Sequence, residues 1–229
     1  VGLPWEQNIA PGGDSYPHYR DNNEGRAVYT DRIVSGNYGT VILPYAVQSN
    51  DSIRYYTLEN VIGNDEQTEF EFNAVDTLKA GTPAVFYFRG QKGSLYEFIS
   101  ISETFSKEPN DIVSNGWTMT GNLGSNDMVF TDQTDLESLY FISNGAVKNA
   151  TQSLTVSPFR AYLKATGSVS AKLTAFFYDG GTVTTIQSVE TGFDENVHRD
   201  GIFNLAGQSL GSIEKGFNII DGQLYYIDE

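Results

Sequence analysis

Few side chains in this sequence have the types and spacing of a catalytic site. A nucleophilic triad needs an imidazole beside its nucleophile, and the chain has two histidines and no cysteine. His18 lies in a segment without apolar periodicity, and His198 lies between predicted strands. We interpret both as surface loop residues. The lack of cysteine also excludes disulfides, thiolate nucleophiles and the usual structural zinc sites.

Carboxylates are abundant, with 29 Asp and Glu against 14 Lys and Arg. Glycoside hydrolysis needs two carboxyl groups roughly 5–10 Å apart, and many pairs in such a chain could meet that requirement. Their spacing in the sequence singles out no pair. We therefore predict no catalytic residue and no enzymatic activity, with an unrecognised hydrolase as the less favoured alternative.

Calcium is the metal that the composition favours, because it takes hard oxygen ligands from loops. The candidate ligands are Asp21 and Asn23 in one turn-rich segment and Asp65 in another. Neither segment has the ligand spacing of a helical calcium loop, so ordinary turns are the alternative interpretation. No other cofactor is predicted.

Aromatic residues beside Asn, Asp and Gln could stack on sugar rings, and this is the class of binding site that the composition favours. The candidates for ligand contact are Trp5, Tyr16 and Tyr19, which lie in the N-terminal segment. Aromatic residues in or beside strand-like segments are instead predicted to be buried in the core. These are Trp117, Phe159, Tyr162 and Phe176.

The net charge of −15 at pH 7 makes the surface strongly acidic. Such a field repels phosphate backbones and anionic headgroups, so nucleic acid is not a predicted partner. No apolar run approaches the ~20 residues of a membrane-spanning helix, so membrane insertion is not predicted either. The first residues lack the charge and apolar run of a signal peptide, which favours a mature or trimmed fragment.

Short runs of β-branched and aromatic residues, each ended by a turn cluster, dominate the chain from Arg26 onward. Phe70-Glu71-Phe72 alternates with the period of a strand that has one wet face. Asn144-Gly145, Asp179-Gly180-Gly181 and Asp221-Gly222 are hairpin signals. The pattern predicts an all-β fold, an antiparallel β-sandwich of one or two packed sheet units with a C-terminal β-hairpin.

Three regions are predicted along the chain. Residues 1–25 are rich in Pro, Gly, Asn and Asp and form an irregular N-terminal arm or linker. Residues 26–189 form the main β-sandwich domain, with room for a sub-boundary near 107–116, and residues 190–229 form the C-terminal hairpin module. An isolated hairpin is marginally stable in water, so we expect this module to be ordered by packing on the main sheets. The best helix candidate, around residues 131–138, is short and is interpreted as a loop.

Three groups of residues carry a resemblance to a known family. The first group is Tyr38-Gly39-Thr40-Val41-Ile42-Leu43-Pro44-Tyr45-Ala46-Val47 with Leu78-Lys79-Ala80-Gly81-Thr82-Pro83-Ala84-Val85. The second group consists of Gly116-Trp117, Gly121, Leu139-Tyr140-Phe141-Ile142-Ser143-Asn144-Gly145 and Pro158-Phe159-Arg160-Ala161-Tyr162-Leu163. The third group is Ile202-Phe203-Asn204-Leu205-Ala206-Gly207-Gln208 with Lys215-Gly216-Phe217-Asn218-Ile219-Ile220-Asp221-Gly222. Together they resemble large, adhesin-like or uncharacterised surface proteins of Bacteroides-type gut bacteria. The third group resembles the last strands of the C-terminal domains of exported proteins.

The resemblance implies an all-β fold and an extracellular or cell-surface location, and it carries no catalytic residue across. We therefore expect a non-catalytic extracellular module with an adhesive, structural or ligand-binding role. Its partner would be a glycan or a protein of the host or of a bacterial surface. A glycan-binding module of a carbohydrate-processing system is the alternative.

Overall fold

A computed structural model describes residues 18–19, 27–63, 67–102, 104–124, 126–167, 169, 172–190, 202–203, 209–210, 216–220 and 223–227. For residues 18–19, 27–31, 185–190 and those from 202 onward, the description covers the backbone alone. The chain divides into two units, Val1–Thr191 and Gly192–Glu229. The region boundaries derived from the sequence stay predictions.

Strands make up almost all of the regular structure, which confirms the prediction of an all-β fold. In chain order the strands are β1 (His18–Tyr19), β2 (Ala27–Val34), β3 (Tyr38–Val41), β4 (Val47–Gln48), β5 (Ile53–Gly63), β6 (Gln67–Val75), β7 (Thr77–Leu78), β8 (Ala84–Phe88), β9 (Ser94–Ile99), β10 (Ile112–Ser114), β11 (Trp117–Gly121), β12 (Met128–Phe130), β13 (Leu139–Ser143), β14 (Ala146–Asn149), β15 (Leu154–Val156), β16 (Ala161–Ala165), β17 (Lys172–Asp179), β18 (Thr182–Glu190), β19 (Ile202–Phe203), β20 (Ser209–Leu210), β21 (Gly216–Ile220) and β22 (Gln223–Ile227).

One helical turn, α1 (Gln133–Leu136), interrupts the strands. The interpretation of this stretch as a loop is therefore wrong for these four residues. Asp132 caps the turn, since its side chain accepts a hydrogen bond of 2.9 Å from the backbone N–H of Thr134. Leu136 is buried and anchors the turn in the core. Within the described part of the chain, no helix is long and apolar enough to cross a membrane.

Two large sheets pack face to face in the first unit. The six-stranded sheet has the order β18-β17-β6-β5-β8-β3 and is antiparallel except where β17 runs parallel to β6. The five-stranded sheet has the order β10-β11-β16-β13-β14 and is antiparallel throughout. Phe70, Phe72 and Phe177 from the first sheet meet Trp117 and Leu163 from the second in the largest core cluster. This arrangement confirms the predicted β-sandwich.

Alternation along each strand decides which face of the sheet a side chain reaches. In the segment Phe70-Glu71-Phe72 of β6, both phenylalanines are buried and Glu71 is partly exposed, as predicted. Strand β5 is instead buried on both faces over part of its length. Tyr56 lies in the core between the two large sheets, and Tyr55 lies in a second cluster on the opposite side.

A third layer covers part of that opposite side. It consists of the three-stranded sheet β1-β2-β9 and the two-stranded pair β4-β7. Phe98 of β9 and Leu78 of β7 pack there against Phe86 and Phe88 of β8. The central strands of the six-stranded sheet are therefore shielded by layers on both sides, and the third layer supplies the walls of the cleft described below.

The core assignments made from the sequence are confirmed for three of four aromatic residues. Trp117, Phe159 and Tyr162 are buried, but the assignment of Phe176 is wrong because this side chain is partly exposed. Phe176 alternates with buried neighbours in β17 and so lies on the other face of the sheet, beside its cross-strand partner Glu71.

Asn122 joins the end of β11 to two loops. Its side-chain Nδ2 donates hydrogen bonds of 2.8 Å to the carbonyls of Asn126 and Val156, and its Oδ1 accepts one of 2.8 Å from the N–H of Gly124. The backbone carbonyl of Asn122 accepts a 2.7 Å hydrogen bond from the N–H of Phe159.

Phe159 has a φ of 62°, which is rare for a bulky residue. Burial of its ring offsets this backbone strain.

Two of the three hairpin signals read from the sequence lie at turns of the described chain, and the third, Asp221-Gly222, lies outside the described residues. Asn144 and Gly145 have φ values of 51° and 85° and join β13 to β14, as type I′ turns require. The segment Asp179-Gly180-Gly181 leads from β17 into β18. Asn115-Gly116 makes a further turn of this kind between β10 and β11 that we did not predict. In the second unit, β21 and β22 pair as the predicted C-terminal hairpin.

Candidate functional site

Most of the site residues predicted from the sequence lie outside the described residues. These are Trp5, Tyr16, Asp21, Asn23 and Asp65. Tyr19 is described by its backbone alone, in β1, where it pairs with Ala27. Among the residues that the structure describes, no three His, Asp or Glu side chains converge as a metal site would require. The calcium and ligand-contact residues therefore stay predictions.

A cleft of about 220 Å³ opens in the described part of the chain, between the segment that contains β4 and the strand β9. Two backbone hydrogen bonds hold its walls. Ile101 N–H donates to the carbonyl of Ala46 at 2.9 Å, and Ser49 N–H donates to the carbonyl of Asp76 at 2.7 Å. The side chains that give the cleft its chemistry are two phenols, three other polar groups and two aliphatic groups, namely Tyr55, Tyr96, Gln48, Asn50, Glu97, Ile99 and Ile101.

Asn50 is held in one orientation at the cleft. Its Oδ1 accepts hydrogen bonds from the backbone N–H groups of Ser52 at 2.9 Å and Ile53 at 3.1 Å, the geometry of an Asx turn. Its Nδ2 donates to the hydroxyl of Tyr96 at 3.1 Å. The second amide hydrogen of Asn50 and the hydroxyl hydrogen of Tyr96 are then two neighbouring donors for a ligand.

Tyr96 is fixed by its ring as well as by Asn50. The ring meets Phe88 and Phe98 edge to face, with centroids 5.3 Å and 4.9 Å away and interplanar angles of 78°. Partial burial raises the pKa of Tyr96, and the hydrogen bond from Asn50 opposes this rise only in part. The side chain is therefore a neutral phenol at neutral pH and can donate a hydrogen bond.

Tyr55 brings a buried hydroxyl to the cleft. The residue is 1% exposed, and its backbone N–H donates to Oγ of Ser49 at 3.2 Å. No described residue forms a hydrogen bond with its hydroxyl. Burial is the main cause that raises the pKa of Tyr55 far above its ordinary value, with a smaller contribution from Tyr96 in the same direction. Buried phenols almost always have a hydrogen-bond partner, so this hydroxyl is the polar group of the cleft that a ligand would satisfy.

Arg32 is a buried positive charge close enough to Tyr55 to affect its pKa. It is 3% exposed, and its Nη1 donates a 2.6 Å hydrogen bond to the carbonyl of Thr40. Its guanidinium lies 4.5 Å from the centroid of the Phe86 ring, a cation–π contact. The same charge acts on Tyr55, where it opposes the rise of the phenol pKa.

A second polar cluster lies at one end of the six-stranded sheet. The guanidinium of Arg54 binds both carboxylate oxygens of Asp179, at 3.1 Å and 2.7 Å, and one oxygen of Asp76 at 2.6 Å. The hydrogen bonds to Asp179, then to Asp76, raise the pKa of Arg54. Since this arginine is already engaged by two carboxylates, the cluster links β5 to the end of β17 and is a structural feature rather than a binding site.

The cleft residues could not have been found from sequence spacing. Asn50 and Tyr96 are 46 residues apart, and each sits in a segment whose local pattern indicates only a turn or a strand. The one general signal was the preference of the composition for aromatic side chains beside amides and carboxylates. That signal favours sugar binding as a class of site, and it singles out neither Asn50 nor Tyr96.

Comparisons of this chain with protein-family models, curated proteins and solved structures found no match. The resemblance to surface proteins of Bacteroides-type bacteria therefore stays a prediction, and the chemistry of the cleft is the ground on which a function can be proposed.

Proposed function

We propose that this protein is a non-catalytic extracellular module that binds a saccharide in the cleft between β4 and β9. The observation that carries the proposal is the buried hydroxyl of Tyr55, which has no hydrogen-bond partner among the described residues and lines the same cleft as Tyr96 and Asn50. The extracellular location rests on the sequence resemblance alone. Binding of this kind would serve an adhesive role.

A saccharide matches the polar groups of the cleft. Each sugar hydroxyl can both donate and accept, so it can satisfy Tyr55 and accept from the fixed donors of Asn50 and Tyr96. The carbonyl of Gln48 and the carboxylate of Glu97 can accept hydrogen bonds from other hydroxyls. Donors that are already held in place lose little side-chain entropy on binding. Because the protein carries a net charge of −15, a neutral saccharide is favoured over an anionic one.

The acid content of the cleft favours binding over hydrolysis. Glu97 is the single carboxylate among the residues that line it, whereas hydrolysis of a glycoside ordinarily needs a pair of carboxyl groups. A volume of about 220 Å³ is below the roughly 300–1,000 Å³ of pockets that hold drug-sized ligands. We therefore expect the cleft to take a single sugar residue, such as the end of a longer chain.

Binding to a glycan array, followed by calorimetry on the glycans that bind, tests this proposal. Tyr96→Phe and Asn50→Ala should each weaken the affinity by roughly two- to thirteenfold, the loss expected for one neutral hydrogen bond. Tyr162→Phe is the matched control, because Tyr162 is also buried but lies in a separate core cluster. Its affinity should equal that of the parent protein.

Tyr55→Phe gives a sharper result, because stability and affinity should move in opposite directions. The variant loses a buried hydroxyl that has no described partner, so the free protein should be as stable as the parent or more stable. Its affinity for the glycan should fall. The proposal is wrong if no glycan binds, or if the three cleft variants bind as tightly as Tyr162→Phe does.

A further inference from the structure

Ser49 joins the cleft to strands β5 and β6. Its backbone N–H donates to the carbonyl of Asp76 at 2.7 Å, and its Oγ donates to the carbonyl of Val75 at 2.7 Å. The same Oγ accepts a hydrogen bond of 3.2 Å from the backbone N–H of Tyr55. Tyr55 and Val75 are cross-strand partners in β5 and β6. The hydroxyl of Ser49 therefore bridges the two strands at the residue whose phenol lines the cleft.

The hydrogen bond from Tyr55 N–H to Ser49 Oγ also closes the loop that carries Asn50. Within this loop, the backbones of Asn50 and Ile53 exchange two hydrogen bonds, of 2.9 Å and 3.3 Å. Asn50 is thereby fixed within the loop, and Ser49 fixes the loop on β5 and β6. A displaced loop would carry Nδ2 of Asn50 away from the hydroxyl of Tyr96, to which it donates at 3.1 Å.

We propose that Ser49 is a positioning residue of the saccharide site, because its hydroxyl holds the amide of Asn50 at a fixed distance from the phenol of Tyr55. The inference rests on the proposed function. Asn50 lies in the loop before β5, and Tyr55 lies in β5 itself. Two donors on separate segments bind one ligand tightly only when their separation is fixed, since ordering them on binding reduces the affinity. Ser49 thus acts on the ligand through Asn50.

Calorimetry with the methyl glycosides of glucose, galactose, mannose and N-acetylglucosamine tests this role. Ser49→Ala should weaken the affinity by roughly two- to thirteenfold, the loss expected when one neutral hydrogen bond to the ligand no longer forms. Ser49→Thr keeps the hydroxyl and should bind as tightly as the parent protein. If Ser49→Ala does not fold, Ser49→Cys takes its place with the same expected loss, because a thiol is a weak hydrogen-bond donor and acceptor.

Ser114→Ala is the matched control. The Oγ of Ser114 also accepts a hydrogen bond from a backbone N–H of β5, that of Val61, at 2.9 Å, and it donates to Oδ1 of Asn60 at 3.3 Å. Ser114 is partly exposed, as Ser49 is, and it is not among the residues that line the cleft. Loss of its hydroxyl should lower the midpoint of unfolding and leave the affinity equal to that of the parent protein.

A double-mutant cycle separates positioning from a general effect on stability. In a protein that already carries Asn50→Ala, Ser49→Ala should weaken the affinity no further. Residues that act independently would instead multiply their two losses, and this result would overturn the inference. If Ser49→Ala binds as tightly as the parent protein, the saccharide site stands and Ser49 has no role in it. If the parent protein binds none of the methyl glycosides, the proposed function fails and the inference fails with it.

Discussion

Replacing Asn122 with alanine should lower the free energy of unfolding by about 2–6 kcal/mol. Asn122 is 3% exposed, and the substitution removes all three of its side-chain hydrogen bonds. The bond to the Val156 carbonyl is buried, so its loss leaves an unsatisfied acceptor at a cost of about 1–3 kcal/mol. The bonds to Asn126 and Gly124 are partly buried, and each contributes about 0.5–1.5 kcal/mol.

Thermal and urea unfolding measure this loss. A change of 1 kcal/mol moves the midpoint by roughly 2–4 °C in a chain of this size, so Asn122→Ala should melt roughly 5–20 °C below the parent protein. Asn60→Ala is the matched control, because Asn60 is exposed and should change stability by no more than about 0.5 kcal/mol. A midpoint for Asn122→Ala that equals the control would refute the role assigned to this residue.

Asn122→Asp adds a dependence on pH. The new carboxyl group would face two carbonyl oxygens and would be buried, and both effects raise its folded-state pKa above the unfolded value of about 3.9. A raised pKa contributes stability that is fully present below the unfolded pKa and is lost as pH rises through the folded pKa. The variant should therefore be closer to the parent in stability at about pH 4 than at about pH 8. An equal deficit at both values would mean that water reaches the site.

The remaining predictions concern the core and the cleft. Trp117 meets Phe70 and Tyr140 edge to face at 4.7 Å and 4.8 Å, so Trp117→Ala should cost about 3–5 kcal/mol in urea unfolding; an unchanged midpoint would contradict its core position. A Cβ added at Gly121 would lie 2.6 Å from Cγ2 of Ile42, so Gly121→Ala should destabilise by about 1–3 kcal/mol, unlike the open control Gly36→Ala. The pKa of Tyr55 is higher in the folded protein than in the unfolded chain, so the folded protein holds the phenol proton more tightly and its stability falls once pH exceeds about 10. Tyr55→Phe should lessen the loss of stability between about pH 9 and pH 11, and an identical loss in both proteins would contradict this.

Local features of the fold could be predicted because they depend on neighbouring residues. The turn at Asn144-Gly145 requires a backbone that these two residue types adopt readily, and the alternation in Phe70-Glu71-Phe72 follows from strand geometry. In Ala175-Phe176-Phe177, the sequence pattern does not show which side chains are buried. The run is apolar on both faces, so only the packing of the five-stranded sheet against one face decides that Phe177 is buried and Phe176 is not.

The cleft depends on contacts between distant segments, which the sequence could not reveal. Asn50, between β4 and β5, reaches Tyr96 of β9 because the segments that carry them pack against each other. The Tyr55 hydroxyl has no hydrogen-bond partner within the part of the chain that the structure describes, and this is likewise a property of the assembled layers. The composition favours sugar stacking as a class of binding, but no local pattern indicates which aromatic residues line the cleft.

The parallel pairing of β17 with β6 has a consequence for the speed of folding. Phe177 stacks on Phe72 at 5.1 Å, yet the whole five-stranded sheet lies between these residues in the chain. The entropy of closing so long a loop must be lost before the contact forms, and folds that depend on such distant contacts reach their native state slowly. During synthesis, one edge of β6 stays unpaired until β17 has been made. An unpaired strand edge favours aggregation of the nascent chain during this interval.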